Sequence, residues 1–204
     1  MITIIDYGAG NIKSIKNMLK KIGVNSTISN DFDIISTADK LILPGVGHFG
    51  HGMRNLNETG LVELLKSRVL VDKIPLLGIC LGAQLLANAS EEAEEIGLGL
   101  VDMEVKRFDE KILQEGLKIP HMGWNEIDFK KDSILAKDLP TESRFYFVHS
   151  FHMQPKRVED VLASTNYGYD FTAAVQKDNI FGVQFHPEKS HKFGMQLLKN
   201  FSKL

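Results

Sequence analysis

Short β-branched runs alternate with amphipathic stretches through the first half of the chain, a pattern that predicts βαβ units around a parallel sheet. Residues 3–5 read as a strand, Gly8-Ala9-Gly10-Asn11 as a turn, and Ile12, Ile15, Leu19 and Ile22 as one face of a helix. A second cycle runs from a strand at Leu41-Ile42-Leu43 to a helix through Leu61, Leu64 and Leu65, and a third from the run ending at Ile79 to a helix over 84–88. After Gly97 the pattern becomes a succession of strands, at 100–108, 125–129, 144–148, 161–165, 171–176 and 180–185, closed by an amphipathic helix over 193–201. No repeat, low-complexity run or linker interrupts residues 1–204. The expected architecture is therefore a single α/β domain with a mostly parallel open sheet, flanking helices and additional antiparallel strands.

At 204 residues the chain is long enough to bury a substantial core without metal or disulfide support, and its single cysteine excludes an intrachain disulfide. The formal net charge is −2 and the basic residues are scattered, so neither a nucleic-acid nor an anionic-membrane footprint is present. The opening apolar run is cut short by Asp6, too early for a signal peptide, and no apolar stretch approaches the roughly 20 residues that span a bilayer. A small-molecule role in the cytoplasm is expected.

The single cysteine, Cys80, lies in Gly78-Ile79-Cys80-Leu81-Gly82-Ala83-Gln84, where an apolar strand runs into a sharp turn and a helix. Such an elbow pushes a side chain out of the sheet, and the first N–H groups of the helix stay free to face an anion. A lone cysteine in an apolar strand is also a common core residue. A second motif, Phe181-Gly182-Val183-Gln184-Phe185-His186-Pro187-Glu188, tips the choice. In extended chain His186 and Glu188 share a side, so the carboxylate can fix the ring's tautomer. Bringing this strand end beside the elbow would assemble nucleophile, base and orienting acid. A third strand end, Leu43-Pro44-Gly45-Val46-Gly47-His48, carries glycines on both sides of Val46, so a backbone N–H there can turn toward an oxyanion beside that of Leu81.

Other chemistries find no support. Gly8-Ala9-Gly10-Asn11-Ile12-Lys13 follows a strand, but Lys13 stands where a dinucleotide-binding turn needs a third small residue. There is no phosphate-cradling Gly-Lys-Ser/Thr loop and no His-Glu-x-x-His pair, so neither cofactor nor metal is expected.

These motifs, with Ile5-Asp6-Tyr7-Gly8-Ala9-Gly10-Asn11, Pro120-His121-Met122-Gly123-Trp124-Asn125 and Phe145-Tyr146-Phe147-Val148-His149-Ser150, together resemble the class I (triad) glutamine amidotransferases over nearly the whole chain. Within that family the narrower Pro-Gly-Val-Gly and Pro-His-Met-Gly-Trp-Asn motifs resemble the glutaminase subunits of two-chain synthases. The resemblance implies that Cys80 attacks the side-chain amide of L-glutamine, that His186 carries the proton, and that Glu188 holds His186. It further implies an oxyanion hole at Val46, Gly47 and Leu81, and glutamine binding by Gly47, Gln84, Glu92, Ser150 and Phe151. Ala83 departs from the family's frequent Met at that position, which touches packing and leaves the chemistry alone.

By composition Pro120, His121, Met122, Gly123 and Trp124 read as core. The resemblance implies instead a docking surface, with Lys189 near its rim, for a HisF-like (β/α)8-barrel synthase subunit. That partner would use the ammonia to form imidazole glycerol phosphate and AICAR in histidine biosynthesis. Two alternatives stand beside this one: a paralogue feeding a synthetase that modifies a cell-surface sugar, whose likeness lies in 166–172 and 191–195, and a catalytically silent binding subunit.

Overall fold

A computed structural model describes residues 1–204. The first half of the chain lays down β1 (Ile2–Ile5), α1 (Ile12–Lys21), β2 (Ser26–Ser29), α2 (Phe32–Ser36), β3 (Lys40–Leu43), α3 (Phe49–Glu58), α4 (Leu61–Lys66), β4 (Leu76–Ile79) and α5 (Leu81–Gln84). The second half adds β5 (Ala89–Ser90), β6 (Met103–Arg107), β7 (His121–Glu126), β8 (Asp128–Phe129), β9 (Arg144–His149), β10 (Phe151–Pro155), β11 (Val161–Tyr167), β12 (Tyr169–Lys177), β13 (Ile180–Val183) and α6 (His191–Phe201). One eleven-stranded sheet runs β2-β1-β3-β4-β13-β12-β10-β6-β5, with β11 pairing β12 and β8. The block from β2 to β13 is parallel, and β12, β10 and β6 continue it antiparallel. Strands β7 and β9 form a separate antiparallel ribbon.

The parallel strands β1, β4 and β13 are buried at every position, as strands covered on both faces must be. Alternate side chains feed two apolar cores. Ile5, Leu41, Leu43 and Leu76 pack with α2, α3 and α4, whereas Ile4, Ile42, Leu77 and Ile79 pack with α1 and α6. No helix is long and apolar enough to cross a membrane.

Local differences from the sequence reading have local causes. The helix expected over 84–88 starts earlier and stops after one turn. The carbonyls of Leu85, Leu86, Ala87 and Asn88 accept instead from the N–H groups of residues 97–101, at 2.8–3.1 Å, which ends the helix. Strand β7 begins at His121 and is separated from β8 by Ile127, which turns into the core, so the single strand expected over 125–129 is two. Strands β2 and β10 and helices α2 and α3 lie where no element is expected.

Candidate active site

Cys80 follows the end of β4 with φ 53° and ψ −111°, a region that a residue with a Cβ occupies only under constraint. Its N–H donates to the Val183 carbonyl at 2.8 Å, and its own carbonyl accepts from Ala83 and Gln84 at 3.0 and 3.1 Å. These bonds hold it between the sheet and the first turn of α5. Two glycines make the bend possible: a Cβ on Gly78 would lie 2.7 Å from the Ala83 Cα, and one on Gly82 2.7 Å from the Leu43 carbonyl carbon. The thiol is thereby lifted into a cavity of about 330 Å³ that also holds the His186 ring.

His186 arrives from the end of β13. Its N–H donates to the Tyr146 carbonyl at 2.9 Å, and its carbonyl accepts from the Ser190 hydroxyl at 2.6 Å, which fastens it to β9 and α6. The ring Nδ1 lies 2.8 Å from Glu188 Oε1, with both side chains 1% exposed. The two meet because Pro187–Lys189 curls into a single 3-10 turn, whereas the sequence suggests extended chain. Since the carboxylate only accepts, Nδ1 carries hydrogen and Nε2 is left for the thiol. That Nε2 is buried without a hydrogen-bond partner. Burial is the largest influence on the ring and pushes it down; the Cys80 sulfur first, and Glu188 second, outweigh burial and raise it to about 9. The ring therefore holds a second proton at neutral pH.

Val46, Gly47, Leu81, Gln84, Glu92, Ser150 and Phe151 all line the same cavity, joined by Pro120, Val148 and His149. Gly47 has φ +100°, and a Cβ added to it would meet nothing within 4 Å, so its turn is a backbone requirement and not a packing one. The N–H groups of Val46, Gly47 and Leu81 meet no acceptor in the protein, as the donors of an oxyanion hole must not. Glu92 Oε2 accepts from the Phe49 N–H at 2.7 Å, capping α3 and holding its carboxylate at the cavity wall. A larger hollow of about 790 Å³ beside Phe129, Lys131 and Lys137 contains none of these groups and is a broad surface depression.

Tyr7 and His149 are site residues that sequence reasoning passes over. The Tyr7 hydroxyl donates to the Pro44 carbonyl at 2.6 Å and braces the turn carrying Val46; burial chiefly, then the Cys80 charge, push it well above the ordinary phenol range. His149 Nδ1 donates to the Phe151 carbonyl at 2.7 Å, so its Nε2 must accept, and His121 Nδ1 supplies that hydrogen at 3.1 Å. Burial keeps both rings neutral, pushing His121 down to about 4 and His149 well below its usual range.

Among the proposed docking residues, strand alternation divides the set. His121 is 3% exposed and turned inward against Phe147 and Tyr167, so it is not a surface residue. Met122 and Trp124 face outward at 62% and 46% exposure. The Trp124 ring stacks on His191 at 5.4 Å and meets Tyr146 edge-on, while the Lys189 ammonium lies 5.5 Å from the Tyr146 centroid. Pro120 sits between this face and the cavity.

The family model described as glutamine amidotransferase class-I matches residues 3–204. A relative named imidazole glycerol phosphate synthase subunit HisH 2, from Pseudomonas aeruginosa, is 51% identical over 204 residues, covering all of both chains. One of the same name from Methanococcus maripaludis is 54% identical over 203 residues, covering 100% of this chain and 99% of its own. Among solved structures, PurLQS from Thermotoga maritima superposes with a TM-score of 0.75 at 17% identity, covering 98% of this chain and 96% of that one. The glutaminase domain of Trypanosoma brucei CTPS does so with a TM-score of 0.66 at 17% identity, covering 99% and 93%. With the elbow, the His-Pro-Glu turn and the cavity between them, the chain belongs to the class-I glutamine amidotransferases.

Proposed function

We propose that this chain is the glutaminase subunit of an imidazole glycerol phosphate synthase, supplying ammonia in the cytoplasm to a HisF-like (β/α)8-barrel subunit. The observation that carries the chemistry is the meeting of Cys80 and His186 in one cavity, with Glu188 buried against the far nitrogen of the His186 ring and with Val46, Gly47 and Leu81, whose N–H groups are unpaired, in the cavity lining. About half of all residues are shared, end to end, with relatives named HisH, which supports the choice of synthase.

In this reading the Cys80 sulfur attacks the side-chain carbonyl carbon of glutamine, and the N–H groups of Leu81 and the Val46-Gly47 turn receive the developing oxyanion. The carbon–nitrogen bond breaks, and His186 donates its proton to the departing ammonia, leaving a thioester. His186, now neutral, takes a proton from water as the water attacks the thioester. Glutamate leaves and the sulfur is regenerated. Glu188 keeps the ring in the tautomer that presents Nε2 to the sulfur throughout. No cofactor is required by any step.

The test is Cys80→Ala in the assembled synthase. Glutamine-dependent synthesis is expected to disappear while synthesis from ammonium salts persists, because only thioester formation is removed. Glutamine hydrolysis near the wild-type rate would overturn the reading. The alternative partner, a sugar-modifying synthetase, is distinguished by which synthase copurifies and which product forms.

A further inference from the structure

Gln184 is fully buried one residue from the end of β13, and no step so far uses its side chain. Its Nε2 lies 3.8 Å from Cys80 Sγ, within hydrogen-bond reach of a sulfur, and its Oε1 accepts from Gln84 Nε2 at 3.1 Å. The direction of the relay follows from one group that can only accept. The Phe151 backbone carbonyl sits 2.9 Å from the Gln84 amide, so the nitrogen of Gln84 must face it. That same nitrogen has its second hydrogen for Gln184, which fixes the Gln184 oxygen toward Gln84 and the Gln184 NH2 toward the sulfur. With the Phe151 carbonyl also held by His149, neither amide is free to flip.

We infer that Gln184 is a catalytic residue of the glutaminase, donating an N–H hydrogen bond to the Cys80 sulfur and oriented for that purpose by Gln84. A donor to a charged acceptor stabilises the thiolate relative to the thiol and holds its lone pair along one line of attack. Gln84 thus has a positioning duty in addition to lining the cavity. The inference rests on Cys80 being the nucleophile proposed above.

The experiment is alkylation of Cys80 by iodoacetamide across pH, on the full-length chain, comparing wild type with Gln184→Met, which keeps the volume and removes the donor, and Gln184→Glu, which sets an acceptor against the sulfur. Gln184→Met should displace the pH–rate profile upward by about half to one unit and slow alkylation at neutral pH about three- to tenfold, the scale of one ordinary hydrogen bond. Gln184→Glu should be slower still. A folded Gln184→Met with the wild-type profile would overturn the inference, since a merely structural glutamine would move stability and not the sulfur's reactivity. A second measurement needs no Gln184 variant. One of the two Gln184 side-chain amide protons should titrate with the alkylation midpoint in wild type and fail to do so in Cys80→Ala, whereas an amide that does not titrate in wild type also overturns it. If the alkylation shift appears but glutamine is never hydrolysed with any partner, the glutaminase reading fails and the donor assignment stands.

Discussion

His186 is buried, which disfavours its charge, yet it is held between a sulfur and a carboxylate, and the two together prevail. Because the ring binds its proton more tightly in the folded protein than the usual value of about 6.5, the linkage stabilises the fold fully below that pH and fades as pH rises through about 9. The sulfur acts on the ring more strongly than Glu188 does, so Cys80→Ala should lower the His186 titration midpoint substantially from about 9, read by NMR of the ring protons. A midpoint unmoved by that substitution would mean that the sulfur does not face the ring. Glu188→Gln keeps the proton carrier and loses its alignment, so turnover at saturating glutamine should fall less than in His186→Ala. Equal loss in two folded variants would assign the carboxylate a more direct part in proton transfer.

The elbow depends on how closely β3, β4 and α5 approach, and Gly82 is the narrowest point. A Cβ there meets the carbonyl group of Leu43 on β3 and lies 3.0 Å from the Pro44 carbonyl carbon, backbone that has no rotamer to move. Gly82→Ala should therefore lower unfolding free energy by about 3 kcal/mol or more in urea titration, with loss of the cavity; a near-neutral result would show that the elbow relaxes as a unit. Strands β1, β3, β4 and β13 could be read from the sequence because continuous apolar runs are what doubly covered strands require. Strand β2 could not: it is a half-buried edge whose only large apolar residue is Ile28. Helix α3 hid behind Gly50 and Gly52, and its start is secured by His48, whose ring is not one of the usual capping side chains, and by the distant Glu92, which no local pattern reveals. The triad stood out because an elbow and a His-Pro-Glu turn are local motifs. Tyr7, His149 and Gln184 did not, because each owes its place in the site to a partner far along the chain.

The ribbon of β7 and β9 connects an exposed face to the cavity within a single supersecondary unit. Met122 and Trp124 point outward from β7, and the end of β9 delivers His149 and Ser150 to the cavity wall, with His121 paired to His149 across the ribbon. An exposed tryptophan stacked on His191 beside Met122 has the composition of an interface anchor. Trp124→Ala should accordingly weaken binding of the proposed barrel subunit by about 2 kcal/mol or more, close to thirtyfold in Kd, while leaving Cys80 alkylation unchanged. The isolated chain should be a poor glutaminase, because the turn at Val46 and Gly47, proposed above as part of the oxyanion hole, is exposed and its glycines make its peptide planes easy to rotate. Docking would then act by populating the turn with its N–H directed into the cavity, and one such donor contributes on the order of 10²–10³ in turnover. Gly47→Ala penalises the left-handed turn without a clash, so it should blunt this activation while iodoacetamide still reacts with Cys80. Full turnover by the purified chain, unchanged on adding the barrel subunit, would show that the oxyanion hole is already formed without a partner.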